Sequence, residues 1–289
     1  MKFLLGGLGN WYNDYPSIKE MVLEADNYDF EACLMPDHYM WGMRENARMN
    51  RPDNYRTVDT WVAMSYLAGK TEHIKLGTLV TPVPFRPPAM MAKMVATLDN
   101  LSNGRVIFGV GAGWSRDEFD GYSEWVPDKI RVDRTKEGLE LMLKLWTSKD
   151  PVTFEGNHYK TTKAVVDPQP IQKPYPPLLF GGSGNRMLSM AGQYGDLIFV
   201  PPWGDPSQFK EKKDRVLRSA KKNNRENKLN FVGGMIGGGP KVENIKDYTE
   251  IIESAKTEGN KYFMISFNRD TDGLKLMKEF AKEIIPSFS

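Results

Sequence analysis

The chain has 289 residues, 40% of them hydrophobic and 26% charged, with a formal net charge of +2. That is enough apolar content for a sizeable core, and the interspersed lysines, arginines and acids give no argument for a nucleic-acid or membrane-surface partner. A single cysteine, Cys33, excludes an internal disulfide and fits a reducing, cytoplasmic setting.

The opening MKFLLGGLG is too short and too glycine-rich for a signal peptide, and no apolar run approaches the roughly 20 residues that span a bilayer. Phe3–Leu8 reads as a first strand. Ser17-Ile18-Lys19-Glu20 reads as a capping box opening a helix whose buried stripe is Ile18, Met21, Val22 and Ala25. Ala32–Pro36 is a second strand, with Cys33 as a small buried hydrophobe, and it ends in Asp37-His38. A long loop follows, carrying Arg44, Arg48, Arg51 and Arg56, before Trp61, Met64, Leu67 and Ala68 mark a second helix.

Ile74–Val80 is a short apolar strand stopped by Pro82, Pro84, Pro87 and Pro88. Met90, Met91, Met94, Val95, Leu98 and Leu101 then recur at helical spacing between those prolines and Asn103-Gly104. Arg105–Val110 is the next apolar run and leads into Gly109, Gly111 and Gly113. Two apolar strands joined through one amphipathic helix predict a βαβ crossover with parallel strands buried on both faces.

Beyond a loop with Tyr122, Trp125 and Pro127, a helix presents Leu139, Met142, Leu143 and Trp146 on one face. Val152–Pro177 breaks the rhythm as a small hairpin and an extended crossing. Leu178–Phe180 is a strand running into Gly181-Gly182-Ser183-Gly184 and a brief helix. The alternation continues with strands at Leu197–Val200, Phe231–Ile236 and Tyr262–Phe267, and helices at Pro206–Asn223, Ile245–Ala255 and Leu274–Ile285. Eight strand–helix alternations predict an α/β fold: one (β/α)8 TIM barrel across 1–289 with an insertion around 150–177.

In such a barrel, functional residues come from the C-terminal strand ends. Those ends are Asn10-Trp11, Asp37-His38, Thr78–Thr81, Gly111–Trp114, Gly181–Gly184, Pro201–Trp203, Gly237–Gly239 and Asn268-Arg269. They hold few proton-transfer groups and many glycines and aromatics, a lining suited to a large planar ligand. There is no paired-cysteine motif, no H-E-x-x-H and no G-x-S-x-G, so zinc and nucleophile-elbow readings fail. Nor is there a dinucleotide fingerprint: Gly109-x-Gly111 and Gly7-x-Gly9 would need glycines where Trp114 and Tyr12 stand.

Four of these strand ends bear on chemistry, and two of them carry two readings. Asp37-His38 is either a turn-forming aspartate beside a packing histidine, or a proton-transfer pair, since imidazole titrates near neutral pH. Thr78-Leu79-Val80 reads as ordinary buried strand. Gly181–Gly184 is a tight turn or an anion site made by unhindered amides ahead of a helix. Gly111-Ala112-Gly113 allows a ligand close to the backbone.

From Gly77 to Phe119 the sequence reads GT-x-V-TP, FR-x-P and A-x-LD-x-LS-x-GR-x-x-x-G-x-G-x-GW-x-x-x-EF. This resembles the luciferase-like monooxygenase superfamily, and more narrowly its branch dependent on the deazaflavin coenzyme F420. The resemblance implies one TIM barrel around the cofactor, with a non-proline cis peptide at Leu79–Val80, after Thr78, backing its central ring. It places Asp37 by the coenzyme, His38 as proton carrier, and Gly111 and Gly113 beside the cofactor's side chain. Gly181, Gly182 and Ser183 would hold the phosphate, and no metal is implied. Arg186 is either an aid to that site or a solvated helix arginine.

The four loop arginines are either solvated surface charge or partners for the anionic tail of coenzyme F420. Taken with His38 they favour that coenzyme, and so hydride transfer to or from a small organic substrate. The alternatives are an FMN-dependent monooxygenase on the same barrel and a non-catalytic flavin-binding relative. Trp11, Tyr39, Trp41, Trp114 and Trp203 would shape an aromatic substrate pocket. Relatives in this family are often dimers through barrel helices; the methionines and Trp61 suit either such a face, in a homodimer, or the core.

Overall fold

The computed structural model describes residues 1–9, 14–40, 57–200, 206–234, 247–267 and 272–288. Its strands are short apolar segments: β1 (Lys2–Leu5), β2 (Phe30–Met35), β3 (Lys75–Thr78), β4 (Thr81–Pro82) and β5 (Val106–Gly111). A hairpin, β6 (Val152–Glu155) and β7 (Lys160–Ala164), precedes β8 (Leu178–Gly181), β9 (Leu197–Phe199), β10 (Asn230–Gly234) and β11 (Tyr262–Ile265). The helices are α1 (Tyr15–Asp26), α2 (Thr60–Ala68), α3 (Pro88–Leu101), α4 (Arg116–Tyr122), α5 (Asp128–Thr147) and α6 (Asn185–Tyr194). They continue with α7 (Pro206–Lys222), α8 (Asp247–Thr257), α9 (Gly273–Glu283) and α10 (Ile285–Phe288).

The sheet runs β3-β2-β1-β11-β10-β9-β8-β5-β4, and a further β3–β5 pairing closes it. With β4 prolonging the line of β3, this is the eight-stranded parallel (β/α)8 barrel that the alternation predicts. The antiparallel β6–β7 pair stands outside it as the insertion. Side chains alternate across each strand. Leu4, Ala32, Leu34, Ile107, Leu179, Phe199, Val232 and Met264 fill the lumen. Phe3, Leu5, Cys33, Leu76, Phe108 and Ile265 pack outward against the helices. Both faces are buried, so these strands read as unbroken apolar runs.

Two local readings change. The first helix starts at Tyr15, with Asp14 as its cap: the Asp14 carboxylate accepts from the Ser17 N–H at 3.0 Å. Pro16 suits the first turn because its φ is already helical, which moves the start upstream and leaves Ser17 inside the helix. The stretch after Trp114 is not all loop. Asp117 and Glu118 in a first turn complement the helix dipole, and Arg116–Tyr122 folds as α4. Trp61 is 2% exposed and belongs to the core. No helix among the described residues is long and apolar enough to cross a membrane.

Candidate active site

The barrel brings the ends of β2, β3 and β5 together, because β2 pairs with β3 and β3 with β5 in parallel register. Asp37 and His38 follow β2, Leu79 and Val80 follow β3, and Gly113 and Trp114 follow β5. Together with α4 these residues enclose a cavity of about 110 Å³. Its walls are divided about evenly between apolar groups (Leu79, Val80, Pro82, Phe85, Phe119) and polar ones (Asp37, His38, Ser115 and Glu118).

His38 is held tightly. Its Nδ1 lies 2.7 Å from Glu118 Oε2, and the two side chains are 14% and 6% exposed. The other carboxylate oxygen of Glu118 accepts from the backbone N–H of Tyr39 at 2.7 Å and of Met40 at 3.3 Å. The His38 carbonyl accepts from the Thr57 hydroxyl at 2.7 Å. Trp114 stands edge-on to the imidazole, 5.4 Å between centroids. Glu118 was not among the residues singled out from sequence. Its signal was the glutamate of GW-x-x-x-EF, eighty positions from its partner in the chain.

Asp37 faces a different partner. Arg86 grips it at two points, Nη1–Oδ2 2.6 Å and Nη2–Oδ1 2.9 Å, and the Trp61 indole N–H donates to Oδ2 at 3.1 Å. Burial works to lower the Arg86 guanidinium, but hydrogen bonding and charge from Asp37 outweigh it and raise the group above its ordinary range. Arg86 also donates from Nε to the Tyr39 hydroxyl at 2.9 Å and lies over that ring at 4.8 Å. The Tyr39 ring is stacked with Phe85 and with Tyr122, each at 5.0 Å. Burial pushes its phenol up. Asp37 thus anchors the segment that presents His38.

Thr78 is fully buried and does not line the cavity. Its hydroxyl oxygen accepts from the Gly109 N–H at 3.1 Å and from the Thr81 hydroxyl at 3.0 Å. The Leu79–Val80 peptide is cis, as the resemblance implies. The side chains of these two residues occupy space beside the neighbouring strands. A Cβ on Gly181 would lie 2.9 Å from Leu79 Cδ1 and 3.0 Å from Val80 Cγ1, and one on Gly111 would collide with Val80 Cγ2. Gly113 has φ +81° and lies against the Phe119 ring. These glycines therefore make room for protein side chains.

Gly182 and Gly184 differ. A Cβ on either would meet nothing within 4 Å, and Gly184 caps α6 with no side-chain bond to its amides. Ser183 is exposed between them. This corner is open and amide-rich, but Gly111, Gly181, Gly182 and Ser183 are not among the residues that line the cavity floored by Leu79 and Val80. Arg186 is turned to α5, where it pairs with Asp133 and donates to the Lys129 carbonyl at 3.1 Å. Trp11, Trp41, Trp203, the arginines 44, 48, 51 and 56, and the strand ends at 10–11, 201–203, 237–239 and 268–269 lie outside the described residues. Among the described residues no group of three or more His, Cys, Asp or Glu could hold a metal ion.

Three solved structures superpose on the whole chain. An F420-dependent secondary alcohol dehydrogenase, bound to an F420–acetone adduct, matches 100% of this chain and 99% of its own, at TM-score 0.80 and 22% identity. A coenzyme F420-dependent tetrahydromethanopterin reductase from Methanopyrus kandleri matches with the same coverage at TM-score 0.77 and 20% identity. A monooxygenase from Streptomyces bottropensis matches 100% of both chains at TM-score 0.74 and 18% identity. At these identities the shared property is the fold. Uncharacterized proteins of Mycobacterium bovis and Mycobacterium tuberculosis are 33% identical over 170 residues, 56% of this chain. That match spans 59% of the length of those curated relatives. The family model for luciferase-like monooxygenases matches residues 3–236, and the chain belongs to that family.

Proposed function

We propose that the protein is an oxidoreductase that moves a hydride between the deazaflavin coenzyme F420 and a small organic substrate. One observation carries this reading: a histidine locked by a buried carboxylate faces a cavity whose floor is the apolar pair Leu79 and Val80. Bound there, a deazaflavin supplies a carbon centre that accepts or donates hydride and reacts slowly with oxygen. Leu79 and Val80 would lie against its ring, Gly111 and Gly113 beside its side chain, and the amides of Gly181, Gly182 and Ser183 at its phosphate.

In the oxidation direction His38 takes the proton of a substrate hydroxyl as hydride leaves the adjacent carbon. In the reduction direction it returns that proton. Pro82, Phe85 and Phe119 keep water from the reacting carbon and favour a substrate that is uncharged there. The F420-dependent structures that share this fold support the reading.

A second reading, an FMN-dependent monooxygenase, is supported by the Streptomyces monooxygenase, which superposes almost as well. Titration of the purified protein with oxidised F420 and with FMN, followed by fluorescence quenching, separates the two. Saturable quenching of F420 is expected; tight FMN binding with no response to F420 would overturn the first reading. The working unit we propose is a homodimer. Val62 and Tyr66 on α2, with Met90, Met94 and Leu101 on α3, leave an exposed apolar face across two adjacent helices, matched to its own copy by symmetry.

A further inference from the structure

We infer that Glu118 is a positioning residue that fixes His38 as the tautomer carrying its proton on Nδ1, so that Nε2 is the atom that exchanges protons with substrate. The inference deepens the reading of His38 as proton carrier and rests on it. It starts from the two oxygens of one carboxylate. Oε1 receives the N–H groups of Tyr39 and Met40, and backbone amides can only donate. That fixes the rotation of the carboxylate and leaves Oε2 for the imidazole, 2.7 Å from Nδ1.

An ionised carboxylate can only accept, so the ring must donate from Nδ1, and the neutral imidazole keeps its lone pair on Nε2. Glu118 is 5% exposed, so water does not compete well for these bonds. Asp37, the neighbouring acid, does not compete either, because Arg86 and Trp61 occupy its oxygens. The same carboxylate thus aims the ring and seats the backbone that follows it.

A one-atom exchange tests this. In Glu118→Gln the two backbone donors retain the amide oxygen in the place of Oε1, which puts the NH2 group against His38 Nδ1. The NH2 can only donate, so Nδ1 must accept and the ring proton moves to Nε2. The substitution keeps the shape and inverts the tautomer. With three histidines in the chain (His38, His73 and His158), two-bond 1H–15N spectra of the labelled, ligand-free protein can be assigned with His→Gln variants.

Recorded above the imidazole titration, wild type should show His38 protonated on Nδ1, and Glu118→Gln should show it on Nε2. In the coenzyme-loaded enzyme, alcohol oxidation by the variant should fall about 100-fold in kcat with coenzyme quenching unchanged. A wild-type His38 protonated on Nε2 overturns the inference, and that spectrum decides even if the variant does not fold. An unchanged tautomer in a folded variant overturns it as well. If the tautomers behave as stated but neither F420 nor FMN binds, the positioning role stands and the functional reading fails.

Discussion

Arg86 meets Asp37 edge to edge: two guanidinium nitrogens face two carboxylate oxygens at 2.6 and 2.9 Å, with side chains 12% and 1% exposed. The pair joins the end of β2 to the turn after β4, directly behind His38. Removing one partner strands a buried charge, so Arg86→Met should cost about 3–5 kcal/mol. Adding Asp37→Asn should restore much of that loss. Lysine should not rescue, because one ammonium cannot make the fork and the Tyr39 contact together. Urea midpoints measure all of these; an Arg86→Met variant within about 0.5 kcal/mol of wild type would refute the clamp.

Two glycine substitutions should behave oppositely. In Gly109→Ala the new methyl would collide with the Thr78 carbonyl and lie 2.8 Å from its hydroxyl, in the middle of the sheet. A loss of about 3 kcal/mol or more is expected, or no folded protein. Gly184→Ala has open space and φ −72°, and should cost no more than about 1 kcal/mol as a weaker helix cap. Thermal melts of the two variants would refute this ordering if they coincided.

Acid should weaken the join between α1 and β3. The Asp26 carboxylate accepts from the N–H groups of Glu72, His73 and Ile74 at 2.8, 2.9 and 2.7 Å. Burial works to raise its carboxyl, but those three donors outweigh it and hold it below the usual carboxylate range. A depressed folded-state value gives stability that is complete above the unfolded carboxyl range, near pH 4, and lost as pH falls through the folded value. Asp26→Ala should cost about 1 kcal/mol at pH 7, allowing for its exposure to solvent, and the gap from wild type should narrow below about pH 4. A gap independent of pH would exclude the carboxylate as its source.

Cys33 should be chemically silent while the protein is folded. It is 1% exposed, and burial pushes its thiol far up, so little thiolate forms at neutral pH. Iodoacetamide should label it only under unfolding conditions, which makes alkylation a readout of global opening. Rapid labelling of the native protein would contradict the packing.

The apolar face on α2 and α3 makes a prediction about assembly. Wild type should sediment as a dimer at micromolar concentrations, and Met94→Lys with Leu101→Lys should yield a monomer that still binds coenzyme. A monomeric wild type would refute the proposed homodimer.

Much of the barrel was legible because each strand is buried on both faces and each helix carries a 3.6-residue stripe. The positions of His38, Leu79 and Val80 at the cavity followed once strand ends were aligned. Charge pairing was not legible: Arg86 and Asp37 are 49 positions apart, and only the adjacency of β2 and β3 brings them together. Glu118 was hidden for the same reason. Its short helix scans as a polar loop, since only Glu118 and Phe119 of its seven residues are buried. The glycines near the mouth misled in a different way. Sequence shows that a side chain is missing at Gly111 and Gly181, but not that Val80 and Leu79 fill the gap.

The short helix α4 carries the acid that holds the imidazole, and with Trp114 and Phe119 it also forms one wall of the cavity. Under the proposed role of His38, admission and reactivity would share one mechanical coordinate. A guest that gained room by pushing that wall outward would also draw Glu118 from His38 and, if His38 carries the proton as proposed, uncouple the transfer it needs. Oversized molecules would then be refused by disarmament as well as by collision, a form of selectivity that requires no dedicated gate.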